Sequence, residues 1–359
     1  MSRNDPIRLV VIGAGLVGQR HARHAFSHQD FDLAWIVDPN EARQEMAQQL
    51  ECRWAASLED VPAGDCDAAI IATPNADHLP SGLTCLARNW ATLVEKPVAE
   101  TIASGEKLVS AFEVAGLPLL VGHHRRYHPS FDKANEMISS AALGPLISAS
   151  LIWAVRKPDS YFKAGAWRRD SDGGPLLINF IHEADLMLGL FGPVDEVQAM
   201  VSSHARGSTV EDSAAILVRF ASGVIATVML TDAALSPWSF EGASGENPTI
   251  AETGISSWRI GCTAGSFEFP GLRVWTDAQG DEGDWSRPLK DETIETAKVD
   301  PLHEQLTHFA QLIRGQVDKP KISGRDGLEA LRLVEAVRTA ARTGQPYFVD
   351  QTLSTSNAV

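Results

Sequence analysis

The sequence has few cysteines and a shortage of positive charge. None of its four cysteines shows a paired spacing such as C-x-x-C, so we expect no zinc site, no other bound metal and no disulfide framework. Lys and Arg number 31 against 46 Asp and Glu, which gives a formal net charge of −15. Because nucleic-acid binding requires a basic surface, we expect no nucleic-acid partner. The cysteines, expected to be core or surface thiols, are Cys52, Cys66, Cys85 and Cys262.

Long hydrophobic runs are also missing. No stretch approaches the roughly 18 to 20 continuous apolar residues of a membrane-spanning helix, and residues 1–6 are too few and too polar for a signal peptide. We therefore expect a cytoplasmic protein without a membrane partner. The 359 residues, 44% of them apolar, suffice for two domains. An acidic segment, 277–300, which includes Asp281 and Glu282, is expected to be a solvated loop or sheet edge.

A glycine-rich turn follows the first apolar run of the chain. Leu9–Ile12 is typical of a buried strand, and the turn after it leads into a helix. Gly13 would make the tight turn, Gly15 would let the backbone approach a pyrophosphate, and Gly18 would let the helix pack closely on the strand. The helix N-terminus supplies N–H groups and a positive dipole end. The sequence therefore predicts a dinucleotide site at Gly13, Gly15, Leu16, Val17 and Gly18.

The next apolar segment indicates which dinucleotide binds. Phe31–Val37 ends at Asp38, about 20 residues after Gly18, the usual offset of the ribose-binding acid. A carboxylate there accepts hydrogen bonds from both ribose hydroxyls and repels a 2′-phosphate. Pro39-Asn40 provides no arginine beside it, although Arg43 could approach. We therefore expect NAD as the cofactor rather than NADP.

The order of elements predicts an α/β fold with two domains. Strands and helices alternate as far as Val121, which indicates a doubly wound parallel sheet. Beyond about Pro129, helices are followed by β-segments joined by short turns, which indicates an α+β domain with a largely antiparallel sheet. We place the domains at 1–125 and 126–359, with the C-terminal helices able to pack back on the first. One face of the second sheet is expected to form a homo-oligomer interface.

Two loops lie at the predicted carboxyl edge of the parallel sheet, where ligands of open α/β sheets bind. The first, Thr73–His78, contains Pro74-Asn75, which taken alone is more typical of a simple turn before a helix. The second is Glu95-Lys96-Pro97. A lysine in this position is usually solvated, but burial beside a nicotinamide ring would lower its pKa toward that of a useful base.

A polar stripe interrupts an apolar helix in the second domain. Asn179, His182 and Asp185 are spaced i, i+3 and i+6, so on an α-helix they fall within about a third of its circumference. Buried polar groups need partners, and a substrate rich in hydroxyls would supply them. An internal hydrogen-bond network would do so equally well. Histidine suits proton transfer near neutral pH.

Taken together, the motifs resemble those of the Gfo/Idh/MocA family of nicotinamide-dependent oxidoreductases. The resemblance covers nearly the whole chain and implies a Rossmann domain plus an open-sheet domain, with the active site between them. Ile181–Asp185 and Arg125–Tyr127 are most similar to inositol and other sugar or cyclitol dehydrogenases. The motifs, in chain order, are the glycine-rich turn, Ala72–His78, Val94–Pro97, Trp167-Arg168, Gly173-Gly174, His182–Asp185 and the run from His308 to Pro346.

This resemblance also implies residue roles. Lys96 and His182 would be catalytic, and Glu95 would position Lys96 beside the cofactor. The remaining residues divide into those that would hold substrate hydroxyls, Arg126, Asn179, Asp185 and Tyr161, and those that would line the cofactor, Thr73, Asn75, His78, Trp167 and Arg168.

The chain departs from the family pattern at Ile178. Many sugar dehydrogenases of the family have an aspartate four residues before the histidine, where an α-helix would put it on the same face. We therefore expect Lys96 to be the principal base, with His182 relaying the proton. Two alternatives stay open. One is a dehydrogenase of cis-dihydrodiols or ring acids, with Ile178, Trp238 and Phe240 forming an apolar pocket and Arg126 or Arg168 taking a carboxylate. The other is a dinucleotide-binding sensor that holds a sugar without turning it over.

Overall fold

A computed structural model describes residues 5–170, 173–279 and 284–349. These residues form two compact units. One contains the chain up to Tyr127 together with Val299–Leu331, and the other contains His128–Lys298 and the chain from Arg332. Within the described ranges, no helix is long and apolar enough to cross a membrane. Asp281 and Glu282 of the acidic segment lie outside the described residues.

The strands and helices have the following bounds. The strands are β1 (Ile7–Ile12), β2 (Phe31–Val37), β3 (Arg53–Ala55), β4 (Ala68–Ile71), β5 (Ala91–Val94), β6 (Leu119–Val121), β7 (Leu146–Ala154), β8 (Val194–Ser202), β9 (Ser213–Phe220), β10 (Ile225–Thr231), β11 (Trp258–Cys262), β12 (Gly265–Phe269), β13 (Arg273–Asp277), β14 (Leu289–Thr293) and β15 (Tyr347–Phe348). The helices are α1 (Leu16–Ser27), α2 (Arg43–Gln49), α3 (His78–Ala87), α4 (Ile102–Ala115), α5 (Pro129–Ser139), α6 (Asp159–Lys163), α7 (Ile181–Phe191), α8 (Phe240–Ser244), α9 (Pro301–Ile313) and α10 (Gly324–Thr343).

The first unit contains a six-stranded parallel sheet in the order β3-β2-β1-β4-β5-β6. Its central strands are apolar and buried along almost their whole length, as expected of a sheet covered on both faces. The strand order reverses between β1 and β4, where Ile12 pairs with Ile71. Ligands bind beyond the carboxyl ends of the strands at such a point. The predicted Rossmann fold is confirmed.

The boundary between the two units differs from the predicted domains 1–125 and 126–359. The chain leaves the first unit after Tyr127, and Val299–Leu331 also belongs to that unit. The physical reason is α9, whose Phe309 stacks on Phe31 with ring centroids 6.1 Å apart within the core of the parallel sheet. Gln305 also donates its side-chain amide to the carbonyl of Val121 at the end of β6.

The second unit contains a nine-stranded sheet in the order β14-β13-β12-β11-β7-β10-β9-β8-β15. Only the β10–β7 pair is parallel, so the predicted, largely antiparallel sheet is confirmed. Two of its strands, β13 and β15, were not expected, whereas β14 is the edge strand within the acidic segment 277–300, which was expected to be a solvated loop or sheet edge. They carry little apolar signal because they lie near the sheet edges, and every residue of β14, within the acidic segment, is exposed.

One face of this sheet is open. Buried and exposed side chains alternate along β9 and β10, so that every second residue points away from the core. Cross-strand pairing puts Met200, Ala215 and Met229 in one row, and Met200 is 79% exposed.

Two local segments differ from what their sequences suggest. Asp326 and Glu329 are typical of a capping box, but Ser323 caps α10 instead, because Ser323 Oγ accepts the N–H of Asp326 while the Asp326 carboxylate accepts the N–H of Ser323. The segment 233–256 is rich in Ser, Gly, Glu and Pro, as lids and disordered loops often are, and it contains the short helix α8. Its Phe240 is fully buried against Phe269, so this residue cannot line an apolar substrate pocket.

Candidate functional site

The glycine-rich turn of the first unit is held by close backbone packing. Gly13 has a φ of +86°, and a Cβ there would lie 2.6 Å from the carbonyl oxygen of Ala72. A Cβ on Gly18 would lie 1.9 Å from the carbonyl oxygen of Gly13, which explains why a glycine is required at this position in the first turn of α1. Around Gly15, by contrast, a Cβ would meet no atom within 4 Å. The turn therefore presents open backbone at Gly15 only.

The start of α1 fits an anionic ligand. No side chain caps the helix, Gly15 is its N-cap, and Leu16 is 73% exposed with Val17 half-buried behind it. Uncapped N–H groups at a helix N-terminus bind phosphate well. This cradle fits the pyrophosphate of NAD, with Gly15, Leu16 and Val17 supplying backbone N–H groups.

Asp38 lies at the end of β2, directly beside this turn. Its Oδ2 accepts the N–H of Ala14 at 2.7 Å, and its Oδ1 accepts the N–H of Asn40 at 2.9 Å. The two bonds fix the carboxylate where a ribose would meet it, and each oxygen keeps a lone pair for a hydroxyl. Asp38 thus fits the ribose of NAD.

The loop after β4 places Thr73, Asn75 and His78 at the carboxyl edge of the parallel sheet. Thr73 Oγ1 is buried, and within the part of the chain that the structure describes it has no hydrogen-bond partner. A bound cofactor would supply one. Asn75 begins a 3₁₀ turn just before α3. This loop therefore fits a polar group of the cofactor.

The imidazole of His78 connects two loops at the carboxyl edge of the parallel sheet. One ring nitrogen lies 2.8 Å from the carbonyl oxygen of Pro97 and the other 3.1 Å from that of Thr73. Burial lowers the pKa of its imidazole, and the hydrogen bonds to these two carbonyls offset part of that decrease. His78 therefore joins the Thr73 loop to the segment that follows Lys96.

A buried ion pair supports the Lys96 segment. His21 Nε2 on α1 lies 2.7 Å from Oε1 of Glu95, and Glu95 Oε2 accepts the backbone N–H of Lys96 at 3.1 Å. Burial by itself raises the pKa of Glu95, but the hydrogen bond and charge of His21 and the charges of Lys96 and His124 lower it to about 2. A Cβ on Gly122 would lie 2.8 Å from the same carboxyl group. These contacts fix the backbone of Lys96 relative to the helix that begins at the glycine-rich turn. The Lys96 residue itself is half-buried.

Arg126 follows β6 in a 3₁₀ turn and is buried. Its Nη1 lies 3.3 Å from Oδ1 of Asp326, which lies in the first turn of α10. This partner could not be predicted from local sequence, because it lies 200 residues away.

In the second unit, the paired glycines allow a carboxylate to cap the helix of His182. Glu211 Oε1 accepts the N–H of Leu176 at 2.9 Å, and a Cβ on Gly174 would lie 2.5 Å from that oxygen. A Cβ on Gly173 would similarly lie 2.4 Å from the carbonyl oxygen of Arg168. Burial raises the pKa of Glu211. Gly173-Gly174 is therefore needed for close approach.

The helix itself does not have the predicted α-helical spacing throughout. Leu176–Phe180 forms a π-helical turn, and α7 begins only at Ile181. Ile178 and His182 were predicted to share a face on the basis of α-helical geometry, whereas hydrogen bonds in a π-turn span five residues, so their common face stays a prediction. His182 and Asp185 are both buried on α7.

Asn179 belongs to a polar cluster that we did not predict. Its Oδ1 accepts from Lys157 Nζ at 2.6 Å. Lys157 Nζ also lies 3.5 Å from Oδ2 of Asp232 and 5.0 Å from the ring of Tyr161. Lys157 was missed because a lysine at the end of a strand is usually solvated, whereas here it is buried.

Tyr161, Trp167 and Arg168 form a second group. The Arg168 guanidinium donates to the carbonyl of Tyr161 and lies 4.3 Å from the Tyr161 ring and 5.1 Å from the Trp167 ring. Burial raises the pKa of the Tyr161 hydroxyl. Trp167 is 48% exposed.

Comparisons with known proteins agree with this architecture. The model of an oxidoreductase family with an NAD-binding Rossmann fold matches residues 7–123, and the model of the GFO/IDH/MocA C-terminal domain matches residues 131–268. The rhizopine catabolism protein MocA of Rhizobium meliloti is 29% identical over 52% of this chain and 57% of its own length, so little more than half of that relative is matched. Inositol 2-dehydrogenase 4 of Saccharopolyspora erythraea is 28% identical over 63% of this chain and 67% of its own length.

A solved structure shows the same fold. It is the WlbA dehydrogenase of Bordetella pertussis in complex with NADH and UDP-GlcNAcA, which is 22% identical, with a TM-score of 0.79 over 97% of this chain and 99% of that one. The two family models together match most of the chain, in the order that the motifs predicted. The protein belongs to the Gfo/Idh/MocA family of NAD-binding oxidoreductases.

Proposed function

We propose that the protein transfers a hydride between NAD and a secondary hydroxyl of a sugar, a cyclitol or a related cyclic polyol, with Lys96 and His182 handling the proton. The observation that carries this proposal is the buried His21–Glu95 pair, which fixes the backbone of Lys96 beside the helix of the glycine-rich turn. Bound NAD supplies the hydride acceptor.

Lys96 is the principal base in this proposal. Glu95 is not the base in this proposal, because its carboxylate is held by His21 and its pKa is lowered to about 2. His182 relays the proton or orients the reacting hydroxyl. Asp185, Asn179, Arg126 and Tyr161 hold the other hydroxyls, while Trp167 and Arg168 lie near the nicotinamide end.

The substrate class rests on the sequence motifs and on a relative that is named as an inositol dehydrogenase. The dihydrodiol alternative is weakened because Phe240 is buried in the core of the second unit. The sensor alternative predicts NAD binding with no turnover of any substrate.

The first experiment is to incubate the purified protein with NAD or NADP and a panel of inositols, aldoses, anhydrosugars and dihydrodiols, and to follow nicotinamide absorbance. Turnover with NAD and a cyclic polyol would support the proposal. Tight NAD binding without turnover of any panel member would favour the sensor.

The role of Lys96 is tested by Lys96→Ala, with Lys107→Ala on α4 as an exposed control. Loss of the base should lower kcat about 10²- to 10⁴-fold and change the Kd for NAD by less than about threefold. His182→Ala should lower kcat less than Lys96→Ala does. Retention of kcat in Lys96→Ala would contradict the assignment.

We also propose that the open face of the second sheet joins two copies of this chain. Met200, Leu217, Ile225 and Met229 expose 43 to 79% of their surface on this face, and a flat row of such residues suits a twofold contact. Light scattering tests this. Met229→Glu should halve the mass of the particle, whereas a monomeric wild type would contradict the proposal.

A further inference from the structure

A small polar pocket in the second unit is lined by three arginines, and the proposed reaction does not use it. The pocket has a volume of about 180 Å³. A cavity of this size has room for a carboxylate or phosphate group. Its lining residues are Arg156, Asp159, Arg169, Ala205, Arg206 and Ala233.

Arg206 forms the fixed wall of this pocket. Its Nε lies 2.6 Å from Oδ1 of the buried Asp232, and its Nη2 donates to the carbonyl of Lys157 at 3.0 Å. Its guanidinium also stacks 4.4 Å from the ring of Phe162. The charge of Arg206 is therefore balanced by Asp232, and its position is held from three sides.

Arg156 and Arg169 differ from Arg206 because their guanidinium groups are exposed and have weaker partners. Arg156 donates to the carbonyl of Ala233 at 3.3 Å, and Arg169 lies 4.8 Å from the ring of Phe162. Within residues 5–170, 173–279 and 284–349, neither has a carboxylate within 4 Å. Lys157 and the three arginines stand against Asp159, Asp232 and Asp212, whose carboxylate accepts the N–H of Arg206, so one positive charge remains at the pocket in a chain whose net charge is −15.

We propose that this pocket binds an anionic group, a carboxylate or a phosphate, through Arg156 and Arg169. Guanidinium groups bind such anions by paired, charge-assisted hydrogen bonds. The pocket adjoins the polar cluster, since Lys157 follows Arg156 in the chain and bonds to Asn179 in the turn before His182. If the anion belongs to the substrate, which rests on the proposed function, the substrate is an acidic sugar or cyclitol.

The test is a calorimetric titration of the NAD-saturated protein with inorganic phosphate at constant ionic strength. Saturation with NAD prevents phosphate from reporting on the glycine-rich turn. The double variant Arg156→Gln/Arg169→Gln should bind phosphate about tenfold more weakly or worse. Arg342→Gln, which removes an exposed arginine from α10, should bind like the wild type. Equal affinity in the double variant and the wild type, with both folded by their Tm, would overturn the proposal.

Kinetics on matched acidic and neutral sugars then separates the two sources of the anion. A KM raised about tenfold for the acidic member only would assign the pocket to the substrate. Weaker phosphate binding with every KM unchanged would assign it to a free anion. Because the phosphate titration needs no turnover, failure of the pocket and failure of the dehydrogenase proposal are distinguishable.

Discussion

The two units build their candidate sites in opposite ways. In the first unit, the nucleotide cradle is made of backbone: Gly13 and Gly18 touch carbonyl oxygens, and Asp38 binds two main-chain N–H groups. In the second unit, the polar cluster is made of long side chains, with Lys157 and Arg206 meeting on Asp232. The backbone site tolerates no added atom at Gly13 or Gly18, whereas the side-chain site depends on charge balance.

The largest effect should come from adding a methyl group to the backbone site. Gly18→Ala puts a Cβ where the carbonyl oxygen of Gly13 lies, so we expect a loss of about 3 kcal/mol or more in the free energy of unfolding. Gly15→Ala is the matched control, because its Cβ meets nothing within 4 Å. It should unfold with a loss of only about 1 kcal/mol but bind NAD more weakly. Urea denaturation and NAD titration measure both. Equal free energies of unfolding for Gly18→Ala and Gly15→Ala would contradict the predicted difference between these two positions.

Removing the charge of Asp232 tests the side-chain site. Asp232→Asn leaves Lys157 and Arg206 without their shared buried carboxylate, which should lower the free energy of unfolding by about 3 kcal/mol. Asp291→Asn, which breaks the surface pair with Arg273, should change it little. Urea denaturation of the two variants is the measurement. If Asp232→Asn had the same free energy of unfolding as the wild type, the cluster would not depend on charge balance.

The Glu95 carboxylate gives a prediction for pH dependence. Its pKa is about 2 in the folded protein against an ordinary value of 4.5, so the stabilisation is complete above about pH 4.5 and is lost as the pH falls toward 2. The wild type should exceed Glu95→Gln by about 3 kcal/mol at pH 6, and the difference should shrink between pH 4.5 and 2. Glu41→Gln, at an exposed position, is the control. A difference that is constant with pH would contradict the buried ion pair.

The smallest effect concerns cofactor choice. Asp38→Ala removes the acceptor for the ribose hydroxyls and the repulsion of a 2′-phosphate. The ratio of kcat/KM for NAD to that for NADP should fall by about tenfold. Asp32→Ala, an exposed change on β2, should leave the ratio unchanged. An unchanged ratio in Asp38→Ala would assign cofactor choice to another residue, with Arg43 the first to test.

The difference between the units also explains what the sequence could predict. A backbone site needs glycines at fixed positions, so the turn at Gly13 and the offset of Asp38 could be predicted from the sequence alone. The ends of α9 were equally visible, because Asp300 caps its first turn and Gly315 follows its last with a φ of +65°.

Side-chain sites carry no such local signal. Nothing beside Lys157 indicates that it meets Asn179, 22 residues later, or that Arg126 meets Asp326. The π-helical turn was missed because the apolar pattern of Leu176–Phe191 fits an α-helix equally well. Strand β13 was missed, and β14 was expected only as a solvated loop or sheet edge, because exposed strands have no buried face to set a period of two.

The place of Val299–Leu331 in the first unit has a consequence for how the chain is made. A ribosome releases the six strands of the parallel sheet long before Leu306 and Phe309, which complete its core, have been synthesised. During that interval some 170 residues of the second unit emerge, and part of the apolar surface of the nascent sheet remains exposed. A fragment that stops at Tyr127 should therefore aggregate, and each half of this protein reaches its final stability only when the whole chain is finished.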